Sequence, residues 1–437
     1  MAFSTAPQFS TVRVNLCDIR KSPSEIKEYA ISLLGPDFEA EFHPQYKEVL
    51  IITHKSYKKT ETDGNYGQIE AAPSKCVVVG GDCGNAVLRG AHVFSVGVVA
   101  IDGDAGEGDV VSVYADIKGE MSRGSKCKKQ SLELDAEQFV FVGNGTLLVN
   151  REDIFGSIRA QDVKGIAIRM LNKLLPSLNN LPSGLFFPQN FPSLFCSRVV
   201  DPSGADWVLD MCAAPGGKAG HLAYLMKTNS KESDPHCGGK LIAIDRTKSK
   251  VDKMSKHFKE WNLENTATAF CADSSKSEFV NLCLNSNDLQ HAVQLRPQMF
   301  DKILLDAPCS GLGKRPYLQR DIVKNKLGTF HTFQRKFIKN AVQLLKPGGV
   351  LVYSTCTTVL DENENQVNWV LENVSDKLKL VPCAPNLNKP GRSNSELKAE
   401  MFGNMVQYFP PDKTDVFSFH PCEGDTVGFF VAKFVKL

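Results

Sequence analysis

In the second half of the chain, short apolar runs repeatedly end in an acid. Trp207-Val-Leu209 stops at Asp210, Leu241-Ile-Ala-Ile244 at Asp245, Ala267 to Cys271 runs into Asp273, and Phe300 to Leu305 stops at Asp306. A fifth run, Gly348 to Ser354, delivers Thr355-Cys356-Thr357. Runs of this length, bounded by turn-forming residues, predict the strands of a parallel α/β sheet whose carboxyl ends share one rim. After the first run, Pro215-Gly216-Gly217 gives a backbone that turns sharply and comes close to a ligand before a helix begins. The spacing G-x-G-x-x-G is absent, so this turn alone fits a nucleotide-type ligand and an ordinary strand-to-helix connection equally well. Single acids in such loops are common turn formers, but four in register at successive strand ends are harder to dismiss. Helices are predicted over Thr332–Leu345 and Asp361–Glu372, the second opened by the capping-box variant Asp361-Glu-Asn-Glu364.

The first half has a different texture. Residues 1–75 read as a small α+β unit, with strands at Thr11–Asn15 and Val49–Thr53, a helix over Ser24–Leu34, and a polar loop from Lys58 to Ala72. Residues 76–170 carry short strands at Cys76–Val79, Ala86–Leu88, Val96–Ile101, Val110–Tyr114, Phe139–Val142 and Gly165–Arg169, punctuated by Gly and Asp as in a compact β-barrel-like module. Between two of them lies the basic run Lys118 to Lys129, a solvated loop unless its neighbours handle nucleic acid. Residues 171–437 form the third part.

Composition narrows the classes. The 437 residues, 42% of them hydrophobic, suffice for two or three cores. No apolar stretch approaches membrane-spanning length and no signal-peptide pattern opens the chain, so a cytoplasmic protein without membrane contact is expected. The 13 cysteines are scattered without a C-x-x-C pair, which disfavours a disulfide framework and a metal site. Cys17, Cys196 and Cys271 are expected as free thiols in small apolar niches. Residues 1–170 hold 19 Lys and Arg against 23 Asp and Glu, and the remainder 32 against 26, so the back carries +6 and the front −4. A basic back half suits a polyanionic partner without demanding one.

A resemblance changes the odds. Ala86-Val-Leu-Arg-Gly-Ala-His-Val-Phe94, Gly97 and Gly108-Asp-Val-Val-Ser-Val113 closely resemble a PUA domain, a small RNA-binding pseudobarrel. Asp210-Met-Cys-Ala-Ala-Pro-Gly-Gly-Lys218, Asp306-Ala-Pro-Cys-Ser-Gly311, Tyr353-Ser-Thr-Cys-Thr357 and Gly428-Phe-Phe-Val-Ala-Lys-Phe434 resemble the Nop/Sun family of RNA cytosine carbon-5 methyltransferases. Thr11-Val-Arg-Val-Asn15 is similar to that family's N-terminal RNA-binding subdomain. A PUA module between that subdomain and the catalytic core is the arrangement of one subfamily, the tRNA acceptor-end methyltransferases. The resemblance implies a Rossmann-like S-adenosylmethionine-dependent methyltransferase with an RRM-like α+β subdomain and an inserted PUA domain. It also implies a tRNA partner, held at its acceptor stem and CCA end, and a monomer. The chain departs from the family in carrying Ala219 where Thr is usual, and in two lengthened polar stretches, Lys227–Lys240 and Asn285–Pro297.

The chemistry follows from what the reaction needs. Carbon 5 of cytosine is too weak a nucleophile to attack a methyl sulfonium, so a thiolate first adds at carbon 6, which is covalent catalysis by an activated nucleophile. In the family that this chain resembles, the Thr-Cys thiol attacks and the Pro-Cys thiol helps release product, which implies Cys356 as nucleophile and Cys309 for removal of the carbon-5 proton. Asp306 is expected at the cytosine edge and near the donor, with Lys218 lowering the thiol's pKa or orienting Asp306. For the donor, Cys212, Ala213, Ala214, Pro215, Gly216 and Gly217 are expected to approach the methionine and ribose. Asp245 holds the ribose hydroxyls with help from Lys250, and Asp273 meets the adenine amino group. RNA contacts are expected from Arg89, Phe94, Lys118 and Arg123 on the middle module and from Arg315 beyond the Cys309 loop. The competing functions are a tRNA-binding protein without turnover, action on another RNA such as mRNA, and a methyltransferase acting on exocyclic amines.

Overall fold

The computed structural model describes residues 6–16, 21–56, 73–156, 164–171, 173, 175–229, 238–285, 292–318, 327–384, 405–408 and 426–437. Cys17, the loop from Lys58 to Ala72 and the middle of the Lys227–Lys240 stretch lie outside them. The acid-ended runs form one sheet in the order Ala267–Cys271, Lys240–Asp245, Trp207–Asp210, Phe300–Asp306, Leu345–Thr355, Phe429–Lys436, Leu378–Val381. The first five are mutually parallel, and Phe429–Lys436 runs antiparallel to both neighbours. Register aligns Asp245 with Cys271, Asp210 with Leu304 and Asp306 with Ser354, so the carboxylates stand along one rim. The strand order reverses between Trp207–Asp210 and Phe300–Asp306, which makes Asp210 and Asp306 the two walls of the switch-point crevice. Both faces are covered, as a parallel sheet requires. Val208, Ala243 and Val352 pack toward helices Phe191–Val200, Gly217–Thr228 and Lys248–Glu260, whereas Leu209, Ile244 and Leu351 pack toward Leu327–Leu344 and Glu364–Asn373.

A second sheet, Phe186–Pro188, Phe9–Val14, Val49–His54, Phe38–Phe42, is antiparallel throughout. Its strand Phe186–Pro188 comes from beyond the middle module, so the boundary drawn at 171 falls ahead of a strand of the N-terminal sheet. Pro188 sits on the edge, where its missing N–H breaks no ladder bond. Val49 and Ile51 join the core of the catalytic sheet, while Leu50 and Ile52 pack toward helix Pro23–Leu34. Ser22 and Glu25 form the capping box of that helix.

The middle module is a seven-stranded sheet in the order Val93–Phe94, Ile166–Met170, Phe139–Leu147, Val110–Asp116, Cys76–Gly80, Val98–Asp102, Ser125–Cys127. Leu318, from the catalytic chain after Cys309, is buried in its core. The Leu318 N–H donates to Asn85 Oδ1 at 3.0 Å and Arg89 Nη2 to Pro316 O at 3.0 Å, so the module grips the segment that continues the Cys309 loop.

Four local expectations need correction, and one strand was not foreseen. Ala86–Leu88 is the end of a helix, Gly81–Leu88, because Gly84 lets that helix lie against Ala115; a short apolar run does not by itself distinguish helix from strand. Phe38–Phe42 is a strand with Phe38 and Ala40 inward, an alternation visible in F-E-A-E-F but not used. The Lys118–Lys129 run contains a strand, Ser125–Cys127. Cys283–Asn285 and Ala292–Gln294 pair as two short antiparallel strands, so the Asn285–Pro297 stretch is not a plain loop. Cys196 is buried, but Cys271 is exposed and its thiol donates to Arg246 O.

Candidate active site

Two loops at adjacent strand ends bring Cys309 and Cys356 together with their sulfurs 3.3 Å apart. Ala307 N–H donates to Ser354 O at 2.9 Å and Gly313 N–H to Cys356 O at 3.0 Å, so each loop is pinned to the other by main chain. Gly313 has no room for a side chain, since a Cβ there would strike the Gly428 carbonyl. Both thiols are partly exposed. The Cys309 thiol, as donor, holds the Cys356 thiol below its ordinary pKa, with Lys218 and Lys314 adding to the effect. The same hydrogen bond, with burial, pushes Cys309 well up. Of the two thiols, Cys356 is therefore the more readily ionised and Cys309 the one that holds its proton more tightly.

Lys218 stands on the first turn of the helix after the glycine turn, and its Nζ donates to Asp306 Oδ2 at 2.7 Å. Burial works against its charge, but Asp306 outweighs burial and holds its pKa above the usual value. Ser354 Oγ donates to the other Asp306 oxygen at 2.8 Å, which fixes the carboxylate plane. Lys218 Nζ also lies 5.1 Å from the Phe429 ring centroid, a cation–π contact. Asp210, fully buried, accepts from Cys212 N–H at 3.3 Å through one oxygen, and the other has no hydrogen-bond partner among the described residues. Burial, with Asp306 nearby, raises its pKa to about 7.

The glycine turn is built by a left-handed Gly216, φ 103°, whose Cβ would press on Met254. Gly217 lies against Phe187 of the N-terminal sheet, and Arg13 of that sheet donates to Gly217 O at 3.3 Å while stacking 4.5 Å over Trp261. Thr11, Arg13 and, just after the strand, Asn15 are all buried. On the same helix His221 meets Glu48 at 3.1 Å, and Arg198 Nε donates to the same carboxylate at 3.0 Å. At the next strand ends, Asp245 accepts from Thr247 N–H, and Asp273 from Ser275 N–H and Oγ. Lys250 is exposed one turn into the following helix, and Cys212, Ala213, Ala214 and Pro215 line the turn itself.

The five expected RNA contacts divide. Phe94 is 53% exposed beside Val96 at 53%. Lys118 is exposed and lies 3.9 Å from Glu137. Arg89 is tied to Pro316 O. Arg123 donates to the carbonyls of Val96, Val98 and Ile154 and covers Phe155, so its guanidinium braces the module. Arg315 is 7% exposed and donates to Thr426 O at 2.9 Å, so its guanidinium is held within the protein. Sequence reasoning gave no site role to Arg13, Gln334 or Ser354, and read Glu362 and Asn363 only as part of a helix start. Asp361-Glu-Asn-Glu364 does not form the expected capping box: a 3-10 turn, Leu360–Glu362, precedes a helix that starts at Glu364, and the Asn363 side chain caps nothing. Among the described residues no helix is long and apolar enough to cross a membrane.

A family model described as 16S rRNA methyltransferase RsmB/F matches residues 197–435. The chain is 37% identical over 458 aligned residues to the tRNA (cytosine(72)-C(5))-methyltransferase NSUN6 of Homo sapiens, covering 99% of this chain and 89% of that protein. A tRNA (cytosine(72)-C(5))-methyltransferase of Pyrococcus horikoshii is 31% identical, covering 80% of this chain and 72% of its own. The crystal structure of NSun6 from Pyrococcus horikoshii with SFG, an S-adenosylmethionine analogue, matches with a TM-score of 0.73 at 25% identity, over 100% of this chain and 92% of that one.

Proposed function

The chain belongs to the 16S rRNA methyltransferase RsmB/F family, and from that premise we propose that it methylates carbon 5 of a cytosine near the 3′ acceptor end of tRNA, with S-adenosylmethionine as donor. The observation that carries the reading is the pair of thiols 3.3 Å apart beside the Lys218–Asp306 ion pair, in a chain similar to a tRNA cytosine-72 methyltransferase over nearly its whole length.

The rim fits the donor. The left-handed Gly216 closes the turn tightly at the rim, the Asp210 carboxyl keeps an unpartnered buried oxygen, and Asp245 and Asp273 present carboxylates suited to ribose hydroxyls and an adenine amino group. Cys212 to Gly217 would line the methionine end, and Lys250 the ribose. When bound, S-adenosylmethionine supplies an electrophilic methyl group. The Cys356 thiolate forms the bond to carbon 6 of the cytosine, and the carbon 5–carbon 6 π electrons become available at carbon 5 to take the methyl group, while a proton drawn from solvent and shared between Asp306 and ring nitrogen 3 offsets the added charge. The neighbour whose hydrogen bond and charge raise the Cys309 pKa most is then a neutral thioether, so only burial and Asp306 still hold its proton. Cys309 gives up its thiol proton to solvent and, as thiolate, takes the carbon-5 proton; the electrons of that C–H bond restore the ring double bond as the sulfur–carbon 6 bond breaks, the Cys356 thiolate leaves and the proton at ring nitrogen 3 is released.

The middle module is read as a PUA domain that holds the CCA end, with exposed Phe94 as a stacking surface and Lys118 as a phosphate contact; its grip on Leu318 links it to the Cys309 loop. The protein is read as a cytoplasmic monomer without a metal. Nucleoside mass spectrometry of a tRNA transcript treated with the enzyme and donor tests the reading. It predicts 5-methylcytosine in the acceptor-end fragment; absence of methyl transfer, or a methylated amine, contradicts it.

A further inference from the structure

We propose that Glu362 and Asn363 are a positioning pair that fixes the separation of the two thiols, each residue holding one cysteine loop; this rests on the two-thiol reading above. Cys309 and Cys356 are 47 residues apart on separate loops. Adjacent strands lie about 4.8 Å apart, which brings the loops near each other but does not set a sulfur–sulfur distance. The setting comes from behind. Glu362 Oε2 accepts from the N–H of Ser310, just after Cys309, at 2.9 Å and from Gln334 Nε2 at 3.1 Å. Gln334 Nε2 also donates to the carbonyl of Pro308, just before Cys309, at 3.0 Å. Both chain neighbours of Cys309 are thereby held.

Asn363 does the same for the other loop. Its Oδ1 accepts from Thr355 Oγ1 at 2.5 Å and its Nδ2 donates to Thr357 O at 3.1 Å, the residues on either side of Cys356. The pair is itself anchored: Tyr353 OH donates to Glu362 O at 2.6 Å, and Asn363 Nδ2 donates to Gln407 Oε1, whose amide reaches Phe429 O at 2.8 Å. Consecutive α-carbons are about 3.8 Å apart, so one short segment spans both loops as a rigid gauge. Glu362 and Asn363 are both fully buried. Burying a carboxylate is costly, and a helix start does not require it. A brace for reacting groups does, because a misplacement of about 1 Å can cost on the order of 10²-fold in rate.

The test compares Glu362→Ala with Glu362→Gln, which keeps an oxygen for Ser310 N–H and Gln334. Glu362→Ala should lower kcat by about 10²-fold while both KM values stay within about twofold, and Glu362→Gln should recover all but about tenfold of the loss. Thiol spacing is read independently of turnover with phenylarsine oxide, which condenses with two thiols and releases water. Subtracting the Cys309→Ala protein removes binding at Cys76 and Cys127, whose sulfurs are 3.5 Å apart. The proposal predicts at least about tenfold weaker arsenical binding at Cys309–Cys356 in Glu362→Ala. Unchanged binding and kcat, or a parallel fall in melting temperature and rise in both KM values, overturns it. If Glu362→Ala does not fold, Asn363→Ser carries the same comparison from the Cys356 side. A wild-type protein that never methylates tRNA, yet loses its arsenical site in Glu362→Ala, sinks the functional reading and leaves the positioning pair standing.

Discussion

The rim of the catalytic sheet and the surface of the middle module are both rich in polar side chains, but they hold them differently. At the rim, Lys218, Asp306, Ser354 and the two thiols contact one another at 2.7 to 3.3 Å around a crevice. On the module, Arg123 is bound to three carbonyls of its own fold, Arg89 to the neighbouring segment, and Phe94 stands in solvent. Strand ends fix where a side chain begins, so spacing along the sequence becomes spacing in the site. A charge on a curved surface carries no such constraint, and a nearby carbonyl competes with RNA for it.

The contrast can be broken most severely at Cys356. Cys356→Ala should lower methyl transfer by on the order of 10³-fold or more, with donor binding measured by calorimetry within about twofold of wild type. Next comes the ion pair beneath the rim. Glu48→Leu leaves Arg198 and His221 facing an apolar group and should cost about 3 kcal/mol in denaturant unfolding. In the wild type, burial lowers the His221 pKa from 6.5 to about 4, against the pull of Glu48. The unfolded chain therefore binds the extra proton in that window, and stability is lost as pH falls from 6.5 to about 4. For Glu48, burial opposes ionisation, but His221 and Arg198 prevail and lower its pKa from 4.5 to about 2, so the loss continues to about pH 2. Thermal melting across this range should fall less steeply in His221→Gln.

Lys218→Met should reduce kcat by about 10²-fold and move the acidic limb of the pH–rate profile to higher pH, because one of the charges that lowers the Cys356 pKa is removed. The smallest effect is expected on the module. Lys118→Ala should weaken tRNA binding by about two- to threefold and reduce the slope of affinity against salt by about 1. Arg123→Ala should instead appear mainly as a lower melting temperature. An Arg123 effect confined to RNA affinity would erase the distinction between the two regions.

Much of the sheet was legible because four of its strands are short apolar runs that end in or run into an acid, and a fifth delivers Cys356; Cys309, Asp306 and Lys218 lie at or shortly after those strand ends. Phe186–Pro188 was not, since three residues with a proline look like a loop until Phe9–Val14 pairs with them. The burial of Arg315 was not legible either, since a basic residue after a glycine-rich loop looks exposed; the chain folds it onto Thr426 O, 111 residues on. Glu362 and Asn363 were seen but read through the helix that follows them, whereas their partners lie on two loops that only the tertiary fold brings together.

The most direct measurement of the central claim is a denaturing gel of the Cys309→Ala protein mixed with S-adenosylmethionine and total tRNA, beside Cys356→Ala and the double variant. A covalent protein–RNA band in Cys309→Ala alone is the predicted result, because Cys356 still adds to carbon 6 and its release is blocked. A band in Cys356→Ala instead, or in none of the three, contradicts the division of roles between the two thiols.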